Sequence, residues 1–183
     1  MICKDCGNPV EEDPECRIPC PHCGSTKRKI TAHAGTKAPA LEMTPPSTTP
    51  QSLLAAANNL VQAIDLLVAA NARVSLATGL LGAHSLEIAL KAFLLHQGYA
   101  ERDLINRVGH DLQEAWRQAV EHRLPLEVPT PHWCELLDAC HKRPYIFRYP
   151  PSNTVMILPN PEVLLQELRR VMRLVEEALE SVA

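Results

Sequence analysis

Apolar residues recur at helical spacing along the last two thirds of the chain, and nowhere hold the period of two that marks a long strand. Leu53, Ala57, Leu60, Ile64, Leu67 and Asn71 follow one another at steps of four and three, a stripe that closes on a polar residue. From roughly Val74 to Gln97 the chain is apolar on most sides, with Leu76, Leu80, Leu81, Leu86, Ile88, Leu90, Phe93, Leu94 and Leu95. That pattern predicts a central helix, and Gly98 stops it. A shorter helix is expected from near Asp111, whose carboxylate can cap while Glu114 sits three residues on, to about His122. Thr130 followed by Pro131 reads as an N-cap and first helical position, opening a helix to about Lys142 that Pro144 ends. Tyr145 to Leu158 reads as irregular or weakly β, with Tyr-Ile-Phe and Thr-Val-Met-Ile-Leu as short extended pieces around Pro150-Pro151. Asn160-Pro161-Glu162 caps the last helix, in which Leu164, Leu168, Val171, Val175 and Val182 recur. Residues 52–183 therefore predict an α-helical bundle of about five helices.

The chain ahead of the bundle has a different composition. Thr36 to Gln51 holds four prolines and four threonines with little to bury, and reads as an extended linker. Residues 1–35 are too few for a conventional core and need a staple. Two knuckles supply one, Cys3-Lys-Asp-Cys6-Gly7 and Cys20-Pro-His-Cys23-Gly24. Each such turn folds back so that N–H groups face the thiolates, and two of them complete a tetrahedral zinc shell with no open coordination position. Thirteen residues separate Cys6 from Cys20, a length that suits a small β-ribbon. The expected cofactor is thus one structural Zn²⁺ per chain on Cys3, Cys6, Cys20 and Cys23. Cys16 and His22 are spare residues beside that set.

Charge narrows the partners. The formal net charge is −3, so no global field draws the protein to nucleic acid or to an acidic membrane. Residues 1–30 balance Lys4, Arg17, Lys27, Arg28 and Lys29 against Asp5, Glu11, Glu12, Asp13 and Glu15, and four thiolates around Zn²⁺ add a further −2. Lys27-Arg28-Lys29 is the best nucleic-acid feature, about three phosphate contacts. Two Trp, two Phe and three Tyr give little for base stacking, so any such contact is sequence-independent. Seven cysteines, mostly in close pairs and odd in number, fit reduced thiols and metal better than disulfides. The polar, cysteine-rich start shows no signal peptide. No run reaches the roughly 18 apolar residues of a membrane span, the stretch Leu60 to Leu81 being broken by Gln62, Asp65, Asn71 and Arg73. A cytoplasmic protein is expected, with no membrane partner.

Within the bundle several polar residues stand out. Glu87 and Lys91 sit at i,i+4 with the glutamate first, and with His84 they form the polar stripe of an otherwise apolar helix. That stripe is expected to face water, a groove or a partner. His110 beside Asp111 marks a helix entry or the lip of a pocket, and Arg143, Arg148 and Tyr149 gather around a proline-bounded loop that suits an anion. Glu87, Lys91, His110 and Arg148 are the candidate ligand or interface residues. His132, Cys134, Cys140 and His141 do not share a helix face and make no second metal set.

Ser85-Leu-Glu-Ile-Ala-Leu-Lys91-Ala-Phe-Leu-Leu-His-Gln-Gly98, followed by Gly109-His110-Asp111-Leu112 and a late Arg148-Tyr149-Pro150, resembles HEPN domains. These are small all-α modules of prokaryotic defence, toxin–antitoxin and nucleotide-related proteins. The likeness covers about residues 52–183, and the front resembles the zinc ribbons fused to many unrelated domains. Many HEPN members are metal-independent RNases that act as dimers through an arginine followed, after four to six residues, by a histidine. The histidine moves a proton at the ribose 2′-OH and the arginine stabilises the phosphorane charge. Arg117 and His122 have that spacing. The polar residue that often follows the arginine is Gln118 here, and the match falls earlier in the chain than the family motif. The resemblance implies a homodimer formed through the first or second helix. The preferred reading is a non-enzymatic, zinc-stapled interaction protein whose ribbon recruits protein or nucleic acid. The alternative is a dimeric endoribonuclease using Arg117 and His122.

Overall fold

Two compact units divide the chain, Met1–Pro45 and Pro46–Ala183, and each is described by itself. The computed structural model describes residues 2–3, 5–8, 19–25, 28–29, 48–71, 74–152 and 155–181, with only the backbone of Ile2, Arg28 and Lys29. In the first unit β1 (Ile2–Cys3) pairs antiparallel with β2 (Arg28–Lys29), in the register Ile2 to Lys29 and Cys3 to Arg28. Cys16, Lys27, Val182 and residues 36–47 of the expected linker lie outside the described residues.

The second unit is helical: six α-helices among the described residues, α1 (Pro50–Ala69), α2 (Ser75–His96), α3 (Glu101–Asp103), α4 (Leu112–Glu121), α5 (His132–His141) and α6 (Pro161–Glu180). The expected linker end at Gln51 is corrected, because α1 starts inside it. The Thr49 hydroxyl accepts from the Ser52 N–H at 3.0 Å, the Ser52 hydroxyl accepts from the Thr49 N–H at 3.0 Å, and Pro50 takes the first turn. This reciprocal cap turns a Thr-Pro pair that reads as linker into a helix start. The buried face of α1 is Leu54, Ala57, Val61 and Ile64, one residue round from the expected stripe, because both α2 and α6 pack on it.

Helix α2 is the hub, touching α1, α4, α5 and α6. Its twelve buried residues include Leu86, Leu90, Phe93 and Leu94, which confirms the expected central helix. Two glycines set how closely its neighbours approach. A Cβ at Gly79 would stand 2.8 Å from the Phe147 ring, and one at Gly82 would stand 2.9 Å from a Leu164 methyl. By length and composition α1 and α2 are each apolar enough to cross a membrane, which corrects the expectation that no run reaches that length. Of the most apolar window, 67% is buried within the unit for α2 and 22% for α1.

After Gly98 the chain forms α3 and then a π-helical turn, Leu104–Val108, which the pattern did not foretell. Gly109, at φ +56°, closes that turn, and its N–H donates to the Leu104 carbonyl. Asp111 then caps α4 as expected, accepting from the Glu114 N–H at 2.8 Å. Buried Asp138 of α5 accepts from the Leu112 N–H at 2.8 Å and from the Gln113 amide at 2.9 Å, and Lys142 donates to it at 2.6 Å. This clamp ties the start of α4 to the end of α5. For α5 itself, Pro131 is the cap and not the first helical residue; its carbonyl accepts from Cys134 and Glu135. Tyr145–Phe147 lies in turns and not in an extended piece, since the Tyr145 N–H returns to Lys142 and its carbonyl accepts from Arg148 and Tyr149. Residues 155–160 carry no regular structure. Asn160 caps α6, its side-chain oxygen accepting from Glu162 and Val163 at 3.0 and 3.1 Å.

Candidate metal centre and buried charge cluster

The two knuckles are built alike. The Cys3 N–H donates to Asn8 at 2.9 Å and the Cys20 N–H to Ser25 at 2.9 Å, while Gly7 and Gly24 donate back to Cys3 and Cys20 at 3.0 and 2.8 Å. Both glycines lie in the left-handed region, at φ +75° and +71°, where a side chain would be strained. The turns bring all four sulfurs within 4.8 Å of one another, with Cys3 to Cys23 at 3.5 Å and Cys6 to Cys20 at 3.6 Å. Zn–S bonds of about 2.3 Å set tetrahedral sulfurs roughly 3.75 Å apart, so the cluster fits one such ion.

The thiols are electrostatically unequal. The Cys6 backbone N–H, reinforced by Asp5, holds Cys3 at about 6, and the His22 backbone N–H lowers Cys20. At Cys23 the Ser25 backbone N–H favours the thiolate, but the neighbouring sulfurs outweigh it and push the thiol up to about 12. Crowded thiolates repel one another, and a divalent cation is what lets all four ionise. His22 is exposed, outside the set of four.

In the helical unit the candidate ligand residues converge on Glu87. Its carboxylate is 5% exposed; Oε1 accepts from the Lys91 ammonium at 2.5 Å, and Oε2 accepts from His110 Nδ1 at 3.0 Å and from His141 Nε2 at 2.5 Å. Burial pushes the Glu87 carboxyl up, but hydrogen bonds from His141, His110 and Lys91 together outweigh it and hold the group well below the usual carboxylate range. The polar stripe of α2 thus faces the end of α5 and the entry to α4. His84, one turn before Glu87, lies 6.4 Å from the His141 ring, and burial holds its imidazole below the ordinary value.

A ring relay leads outward from there. His110 meets His141 edge-on at 5.7 Å and Tyr145 edge-on at 5.7 Å, and Cζ of exposed Arg148 sits 5.6 Å from the Tyr145 centroid. Tyr145 holds φ +62°, a conformation that costs a residue with a side chain of order 1–3 kcal/mol, and its ring contacts both Arg148 and His110. Glu87, Lys91, His110 and Arg148 therefore belong to one constellation. His141 and Tyr145 were missed. His141 lies 54 residues from Glu87 in sequence, and no local spacing reports that meeting. The other members of its expected non-set scatter: His132 pairs with Glu135 at the surface, while Cys134 and Cys140 are buried and burial pushes their thiols up.

Arg117 and His122 are not brought together. A helix advances about 100° per residue, so five residues place them some 140° apart. The Arg117 guanidinium is bound to Glu114, at 2.6 Å, and to Glu121. His122 Nε2 lies 3.2 Å from the Tyr99 hydroxyl, which donates to Gln118 at 2.5 Å. Arg117 instead lines a cavity of about 610 Å³ beside Trp116, Val120 and Val128. Comparison with known proteins finds no matching family model, no matching curated protein and no matching solved structure.

Proposed function

We propose that this is a non-enzymatic interaction protein: a zinc ribbon that recruits a protein or nucleic-acid partner, joined to a HEPN-like helical domain of a prokaryotic defence or toxin–antitoxin system. The observation that carries it is the four-sulfur cluster, whose spacing fills a tetrahedral shell and leaves no position for a substrate. Support for a HEPN-like unit comes from the two strings that carry the resemblance. They lie on α2 and at the entry to α4, and they meet through the His110–Glu87 hydrogen bond at 3.0 Å. Free, buried Cys134 and Cys140 and the unbridged knuckle sulfurs support a reducing cytoplasm. For the homodimer the candidate surface is α1, whose outer face leaves Leu66 73% exposed, since α2 is largely consumed by the core.

Three measurements test the reading. Purified protein incubated with total RNA in EDTA is expected to leave it intact; cleavage that His122→Ala abolishes would establish the endoribonuclease instead. Light scattering is expected to give a dimer that Leu66→Glu dissociates. Pull-down from the native host is expected to capture a partner that Cys20→Ser with Cys23→Ser no longer retains. Capture unaffected by that variant removes the recruiting role.

A further inference from the structure

We infer that the helical unit holds a second metal site, in which His84, Glu87 and His141 bind one divalent first-row transition ion of the zinc class. One donor atom from each residue lies within 4.8 Å of the other two. His84 and Glu87 stand three apart on α2 and so share a face, and His141, the last residue of α5, completes a triangle drawn from two helices. Two imidazole nitrogens and one carboxylate oxygen are donors that suit zinc, copper, iron or nickel over magnesium or calcium.

An independent observation points to a ligand. Among the described residues, the buried side-chain polar atoms with no hydrogen-bond partner are His84 Nδ1 and His141 Nδ1. Both orphans thus fall within this triangle of residues, and His141 is 1% exposed. Buried polar atoms are left unpaired rarely and at a cost of about 1–3 kcal/mol, so two in adjoining rings mark a place where something else binds. The surroundings suit a cation. One Glu87 oxygen is held by Lys91, and the other accepts from His110 and His141. His110 donates to the same carboxylate and orients it, as outer partners of metal ligands do. The last carbonyls of α5 add partial negative charge beside His141. Bonds of about 2.0–2.2 Å put tetrahedral donors roughly 3.3–3.6 Å apart, so edges of at most 4.8 Å need close by no more than about 1.5 Å on loading. Three protein donors leave a fourth position for water or an anionic ligand, which sets this site apart from the closed sulfur cluster.

The test is cobalt(II) titration of the zinc-loaded full chain and of full-length Cys20→Ser with Cys23→Ser. In both, one equivalent of cobalt is expected to bind with visible d–d absorption and without the sulfur-to-metal charge-transfer band of a thiolate site. His84→Gln, at a half-buried position, and Glu87→Gln are each expected to weaken it at least about tenfold. His110→Gln, in the outer shell, costs about 10–100-fold by analogy with other second-shell changes. The inference is overturned if neither protein takes up cobalt outside the sulfur cluster, or if uptake is unchanged in folded His84→Gln. Neither result bears on the ribbon, whose zinc is read by its own sulfur signature.

Discussion

In the N-terminal unit the described buried residues are Cys3 and Cys20, both sulfur donors; in the helical unit the buried set runs from Leu54 to Val175 and includes Trp116 and Phe93. One unit gathers four sulfurs at a point where an ion would close it; the other is closed by apolar area spread over five long helices. The difference fixes what each can tolerate. A point closure is all or nothing, because losing one ligand opens the shell, whereas a distributed core loses stability in increments.

The largest effect should break the comparison cleanly. Cys20→Ser with Cys23→Ser is expected to abolish the tight equivalent of zinc and all dispersed NMR signals of the first unit, while the melting of the second stays where it was. Loss of helical melting in that variant would show that the units are not independent. Glu87→Ala comes next, at about 3–5 kcal/mol, because it leaves Lys91, His110 and His141 facing an emptied, buried site. Its pH signature has a definite sign. The folded carboxyl titrates below its ordinary value of 4.5, so its stabilisation is complete above about 4.5 and is lost as pH falls towards the folded value. Urea midpoints followed from pH 6 to pH 3 should therefore fall further in the wild type than in Glu87→Gln.

Smaller changes sharpen the contrast. Leu168→Ala, at a fully buried position of α6, should cost about 2–5 kcal/mol in urea unfolding without releasing zinc. Asp111→Ala removes a single cap and should cost about 1 kcal/mol. Arg117→Ala deletes only exposed ion pairs and should leave the midpoint within error.

What could be read from the chain follows the range of the interactions. The sulfur cluster was fully legible, because each half is set by a five-residue turn and the halves need only meet. Helices α2, α4, α5 and α6 were legible to within a residue or two, since apolar period and caps are local signals. The start of α1 was not, because Thr49-Pro50 serves equally as linker and as N-terminus until Ser52 answers the cap. Nor was the π turn before Gly109, whose five residues are too few to show a period. In the cluster around Glu87, the residues Glu87, Lys91, His110 and Arg148 were singled out by polarity and local spacing. Their true setting depended on His141, which only the packing of α5 against α2 supplies. The spacing of Arg117 and His122 matched a motif, yet spacing along one helix does not make two side chains share a face.

The twin knuckles also bear on how this front end can change over time. Cys6 and Cys20 are anchored by their own turns, the first of which takes in Gly7 and Asn8, and by the pairing of β1 with β2. Doubling the length of a flexible insert between fixed ends costs only about 0.6 kcal/mol in closure entropy. An insert placed between residues 8 and 19 is therefore expected to leave the sulfur frame in place, a position for natural variation or for grafted recognition peptides.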